Sequence, residues 1–191
     1  MEQEKKESIL SEAARCFSRF GFKKASVDEI ARRARVAKGT IYLACASKED
    51  LFYQVLHREV RGWQAAVARL IDPRKRADEL LELMSSAGIA SLEDYPLVKD
   101  LLFGKTHELL PSWRERLDEL RALGHQNIVE VLRLGIRQRI FRSDLEVEAT
   151  ATLLQDLHIV GLVFHARKPI EAILRMQRAG LDMVLDGLRS R

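Results

Sequence analysis

Proline is scarce in this sequence, with four residues in 191, and glycine contributes only ten. So few chain breakers leave long stretches in which helices run uninterrupted, and they exclude collagen-like and low-complexity classes. The two cysteines, Cys16 and Cys45, have no CxxC spacing, so neither a disulfide framework nor a zinc site is expected and both thiols are read as reduced. No apolar run reaches membrane-spanning length, since the longest, residues 157–164, is broken by His158. The opening residues Met1, Glu2, Gln3, Glu4, Lys5 and Lys6 lack the apolar core of an export signal. A soluble, unexported, cytoplasmic protein without a membrane partner is expected. Also missing are a nucleophile–base pair, a metal-ligand cluster and a phosphate-cradling loop, so no enzyme, metal or cofactor is expected.

What the chain does have is apolar residues at 47%, charged residues at 31%, and an uneven distribution of charge. Between Ala13 and Lys48 stand nine cations (Arg15, Arg19, Lys23, Lys24, Arg32, Arg33, Arg35, Lys38, Lys48) against Asp28 and Glu29, a local excess of seven. The whole chain carries +4, so the remainder sums to −3. A basic module on a slightly acidic body suits a phosphate backbone, where neutralised phosphates release counterions. A solvated helical face would give the same local excess.

Nearly every segment repeats with a helical period and none alternates as a strand would, which predicts an all-α fold. In the first helix Ile9, Leu10, Ala13, Ala14 and Phe17 form one stripe, and Gly21 is a stop signal. Ser26 and Glu29 fit a capping box opening a short second helix to about Ala34. Arg35, Val36 and Ala37 form a tight turn, and residues 38–43 a third helix. Ser47 caps a fourth helix with Leu51, Phe52, Val55, Leu56, Val60 and Trp63 inward. Pro73 breaks it. Further helices are expected over residues 76–90, after Pro96, over 111–140, from a cap at Ser143 to about 166, and from Pro169 to about 189. The expected architecture is an N-terminal three-helix module, residues 1–47, and a bundle of about six helices, residues 48–191. Residues 47–61 form the linking helix.

The last helix carries a clean stripe that includes Leu181 and Leu185. Its predecessor is apolar almost all round over residues 153–164, and a helix without a polar face needs partners on more than one side. A second copy of the chain would supply one, through Leu153, Leu157, His158, Gly161, Leu181 and Leu185, with Gly161 permitting close approach. A helix central to the monomer's own core explains the pattern equally well. His158 and His165 lie on one face, but no carboxylate or cysteine stands near at ligand spacing, so an interface or surface role is expected rather than a metal.

A short helix, a tight turn and a second helix with a narrow exposed front satisfy helix-turn-helix geometry. Ile9, Ala13-Ala14, Phe17, Gly21-Phe22, Ser26, Ile30-Ala31, Ala34, Val36, Lys38-Gly39-Thr40-Ile41-Tyr42 and Ser47-Lys48-Glu49-Asp50-Leu51 resemble the DNA-binding signature of the TetR/AcrR family of bacterial transcriptional regulators, over about the first quarter of the chain. The resemblance implies a homodimeric repressor, cytoplasmic and nucleoid-associated, that binds a palindromic double-stranded DNA operator and is released by a small-molecule effector held in the C-terminal half. It implies that Ser26 and Lys48 contact phosphates at helix N-termini, that Lys38, Thr40 and Tyr42 meet phosphates or base edges, and that Gly39 lets the helix sit close to the groove. Capping and solvation alone would equally account for Ser26 and Lys48, and a core ring with a wet hydroxyl for Tyr42.

Three positions depart from the family pattern. Arg35 stands where a glycine is usual, at a turn that favours positive φ, and adds charge there. Ala44-Cys45 replace an aromatic or histidine followed by phenylalanine, which removes one phosphate contact and some core volume. Ala37 replaces a frequent capping serine and leaves helix N–H groups free for DNA or water.

For the effector, Trp63, Tyr95, Phe103, Trp113, Phe141 and Phe164 could line an apolar cavity, with His107, His125, His158 or Arg137 as polar anchors. Core packing is the default for any single aromatic. The competing function class is a helix-turn-helix protein without an effector, controlled by a protein partner.

Overall fold

The computed structural model describes residues 3–102, 114–165 and 168–189. Among these it is all-helical: α1 (Gln3–Lys24), α2 (Val27–Arg33), α3 (Lys38–Ala44), α4 (Lys48–Ala68), α5 (Ala77–Ala90), a 3-10 turn (Ser91–Asp94), α6 (Pro96–Leu102), α7 (Arg114–Arg137), α8 (Val147–His165) and α9 (Ile170–Leu188). Among the described residues the one β-type pairing is an isolated bridge between Phe141 and Arg189. No described helix is long and apolar enough to cross a membrane. The chain divides into two compact units, Met1–Val60 with Pro96–Val98, and Arg61–Tyr95 with Lys99–Arg191.

In the N-terminal unit the expected stripe of α1 is buried, with Ile9, Leu10, Ala13, Cys16 and Phe17 inside. Gly21 ends regular helix by adopting φ 72°, ψ 165°, a conformation that a side chain disfavours. Phe17, Phe22 and Phe52 then lock α1 to α4. Phe52 meets Phe17 edge-on at 4.9 Å and Phe22 at 5.3 Å, arrangements that suit the quadrupoles of the rings. Ile30 of α2 and Ile41 of α3 complete this core, both wholly buried.

The second unit buries Leu80, Leu81 and Met84 of α5, Val129, Val131 and Leu132 of α7, Leu154 of α8, and Leu185 and Leu188 of α9 around the ring of Phe141. Trp63 lies against this bundle's edge, its indole N–H reaching the Gly88 carbonyl at 2.9 Å and Ser91 Oγ at 3.1 Å. Asp78 is a buried carboxylate held by Arg76 at 2.8 Å, with Arg189 at 3.5 Å. Those cations offset the cost of its burial and hold its carboxyl below the usual range.

Three local expectations change. Glu29 does not reach back to close a capping box; its carboxylate takes bonds from Arg32 at 2.7 Å and Arg33 at 2.6 Å instead. Charge-assisted bonds to two arginines one turn away outcompete a single backbone N–H. Helix α7 stops at Arg137, short of residue 140, because Arg139 turns left-handed at φ 59° and the Ile140 and Phe141 N–H groups both return to the Gly135 carbonyl. Ser143 lies in a turn with Asp144, and α8 begins only at Val147.

Candidate nucleic-acid interface

The turn between α2 and α3 is a Schellman motif. Val36 N–H bonds the Ala31 carbonyl at 3.0 Å and Arg35 N–H bonds the Arg32 carbonyl at 3.2 Å. Arg35 holds the left-handed position at φ 55°, where glycine is favoured, so the positive φ expected of this turn is present and an exposed arginine carries it. An L-residue there costs roughly 1 kcal/mol. Arg35→Gly is therefore expected to raise unfolding stability by about 0.5–1 kcal/mol while lowering DNA affinity and its salt sensitivity. Urea unfolding and a salt titration of binding check the two halves separately, and an unchanged salt slope would remove Arg35 from the phosphate contacts.

Helix α3 opens at Ala37, which offers no side-chain cap, and closes with Cys45 N–H on the Ile41 carbonyl at 3.0 Å. At 100° per residue, the buried Ile41 points inward and Gly39 and Leu43 share the middle of the opposite face, with Thr40 and Tyr42 on its flanks. Tyr42 is 47% exposed, so it is no core ring. A Cβ built on Gly39 meets nothing within 4 Å, which leaves the first turn of that face bare. Ser26 is exposed as the cap of α2, its Oγ accepting the Asp28 N–H at 3.2 Å, two residues on rather than three. The Ser47 cap forms as expected, with Oγ accepting the Asp50 N–H at 3.1 Å.

Several of the cations are already paired. Arg32 and Arg33 hold Glu29, whose carboxyl they keep below its usual range, and Lys38 meets Asp28 at 2.9 Å, which raises its own pKa. These pairs are exposed and contribute little to stability. Lys48 is tied differently: its Nζ donates to the Lys23 carbonyl at 3.2 Å and stands 4.6 Å over the Phe22 ring. Both contacts went unforeseen in the sequence. So did the capping of the last α3 carbonyl, Ala44, by Gln54 Nε2 at 3.0 Å. Cys45 fills the family's phenylalanine position as a buried thiol that donates to the Ile41 carbonyl at 3.2 Å.

Residues 9–55 match the bacterial regulatory proteins of the tetR family, and that span holds most of α1, all of α2 and α3, and the opening of α4. By this segment the chain carries the DNA-binding module of the tetR family. The chain is 28% identical to the HTH-type transcriptional regulator YhgD of Bacillus subtilis, over 95% of this chain and 94% of that relative. It is 26% identical to the HTH-type transcriptional repressor KstR2 of Rhodococcus jostii, over 95% and 90%. Its fold superposes on the fatty acid degradation regulator FadR from Bacillus halodurans with a TM-score of 0.76, at 18% identity and full coverage of both chains. FadR from Bacillus subtilis, solved with stearoyl-CoA, gives 0.70 at 20% identity over 96% and 99%.

In the second unit the residues expected around an effector fall in different settings, among those described. Phe103, His107 and Trp113 lie outside the described residues, as does the side chain of Phe164. Trp63 and Phe141 are packed rings, Phe141 wholly buried against Gly135. His125 Nε2 pairs with Thr152 Oγ1 at 3.1 Å, on the partly exposed seam of α7 and α8. The residues expected at an interface also separate. Leu153 and Leu157 are exposed, Leu181 is half-buried, and Gly161 lies within α8. Leu185, by contrast, is fully buried in its own unit's core and is closed to a second subunit, because the α9 stripe turns it inward. His158 faces Ser85 Oγ at 3.3 Å, and burial lowers its pKa to about 4, which leaves the imidazole neutral at pH 7.

Proposed function

We propose that this chain is a TetR-family repressor that binds a palindromic operator as a homodimer and is released by a small-molecule effector. Residues 1–47 form the DNA-reading module, residues 48–191 the sensing and dimerising half, and residues 47–61 the link. The observation that carries the proposal is the outward face of α3, where Gly39, Thr40, Tyr42 and Leu43 stand unburied beside Arg35 and Lys38. That face is slim enough for the major groove and sits in a unit with a surplus of cations. The name of the Rhodococcus relative supports repression, and the stearoyl-CoA complex of the Bacillus subtilis neighbour supports an effector. The cleft formed by Arg61, Gln64, Ala65, Ala68, Leu123 and Asn127, about 180 Å³, is smaller than sites that enclose drug-sized ligands. The effector proposal therefore draws its support from those neighbours.

In the DNA contact set, Ser26, Arg35, Lys38 and Lys48 meet phosphates and Thr40 and Tyr42 meet phosphates or base edges, while Ala37 and Gly39 allow close approach. Lys48→Ala is expected to weaken binding on all sequences and lower the salt slope by about 1, with a fold loss that shrinks as salt rises. The same substitution removes the contact over Phe22, worth about 0.5–1 kcal/mol of stability. The salt slope separates the two effects. Binding of Lys48→Ala with the wild-type slope would leave Lys48 as a strut between α1 and α4 alone. A thermal shift titrated with stearoyl-CoA tests the effector half, since a specific ligand raises the unfolding midpoint by mass action.

A further inference from the structure

Leu43 is 83% exposed, more than any other large apolar residue among those described. It occupies the middle of the outward face of α3, one turn beyond Gly39. Helical side chains lean toward the N-terminus, so Leu43 overhangs the turn that Gly39 leaves bare. Its flanking neighbours Thr40 and Tyr42 carry hydroxyls and Gly39 has no side chain, so Leu43 is the one side chain of this face with nothing to donate or accept. The buried side of α3 is already served by Ile41, so folding does not require leucine at position 43.

In the major groove every base pair displays hydrogen-bonding groups, and one group is apolar, the C5-methyl of thymine. An isobutyl side chain gains by covering that methyl. Placed against the amino group of cytosine or adenine it removes water from a donor and supplies no acceptor, which costs free energy. We infer that Leu43 is a specificity-determining residue that reads a thymine methyl in each half of the operator. The inference rests on the proposed DNA-binding function, and the cations Arg35 and Lys38 in the turn and first position ahead of it favour DNA as the occupant of this face.

The test starts from selection of bound duplexes out of a random pool by the full-length protein. Each thymine of the selected sequence is then replaced by uracil, which removes the methyl and nothing else. The expected result is one thymine per half-site whose replacement weakens wild-type binding about fourfold, and about fifteenfold when both halves are changed, the effect of uncovering one methyl each. Leu43→Ala should bind the thymine and uracil duplexes alike at that position, and Leu43→Met should keep the thymine preference. Circular dichroism checks that both variants are folded. Equal binding of thymine and uracil everywhere by the wild type overturns the inference, as does a thymine preference undiminished in Leu43→Ala; either leaves DNA binding itself intact. A gain on replacing cytosine by 5-methylcytosine, without a loss at any thymine, would place the methyl on cytosine and overturn the thymine assignment. Failure to enrich any duplex removes the DNA-binding function and this inference with it.

Discussion

Leu157→Glu is expected to convert the proposed dimer to a monomer at micromolar concentration and to lower affinity for the proposed palindromic operator by more than tenfold. Leu153, Leu157 and Val160 are each about half exposed on α8, at helical spacing, and Met176 and Met183 are exposed on α9 beside Gly180. Gln177 of α9 donates to the His158 carbonyl of α8 at 2.9 Å, which joins the two helices. Two such helices from each copy suffice for a four-helix interface. An unpaired carboxylate buried there costs several kcal/mol, more than a dimer of ordinary strength can absorb. Sedimentation velocity reads the change directly, and a wild type that sediments as a monomer would end the dimer proposal. Leu185→Glu is the contrasting variant: its side chain is already inside the subunit's own core, so unfolding rather than dissociation is expected.

Phe141→Ala is expected to lower unfolding free energy by about 3–5 kcal/mol, measured by urea denaturation, because the ring is 1% exposed within the hydrophobic core of the second unit. Gly135→Ala should harm the same site from the other side. A Cβ there would fall 2.1 Å from Phe141 Cδ2 and 2.4 Å from Cε2. The ring cannot retreat within a packed core, and overpacking of about 1–3 kcal/mol outweighs the roughly 1 kcal/mol that alanine gains over glycine within a helix. Since alanine at 141 removes the obstructing ring, the double variant Gly135→Ala, Phe141→Ala should be less destabilised than the sum of the two. Strict additivity would show that the ring and the glycine do not share the space.

The N-terminal unit was legible because its signals are local. Gly21, the Ser26 cap and the Ser47 cap each announce themselves within four residues, the buried stripe of α1 follows from period alone, and the left-handed turn at Arg35 is implied by the resemblance, since arginine itself does not signal it. What resisted was competition between partners. Glu29 had both a backbone N–H and two arginines within reach, and the pattern of letters does not say which prevails. The second unit was harder for a different reason. Leu181 and Leu185 lie one turn apart on the same stripe, yet one is half-buried and the other fully buried; that division depends on how α5 and α8 pack against it. Phe141 similarly suited a ligand cavity or a core until its contact with Gly135 settled the matter. Leu43 carries no signal of its own beside the departures at Ala44 and Cys45, because exposure of an apolar residue is a property of the fold and not of its own identity.

The two thiols bear on how the protein can be handled. Cys16 and Cys45 are buried, and burial raises the pKa of each above that of a free thiol. Alkylation and oxidation both proceed through the thiolate, which is therefore rare at neutral pH and shielded when it forms. A maleimide dye will accordingly pass over both native cysteines in the folded protein and couple to a single cysteine introduced on the surface outside α8 and α9, for instance at Lys75 in the exposed turn ahead of α5. Paired dyes at that position can then follow association of subunits by energy transfer without removing either natural thiol.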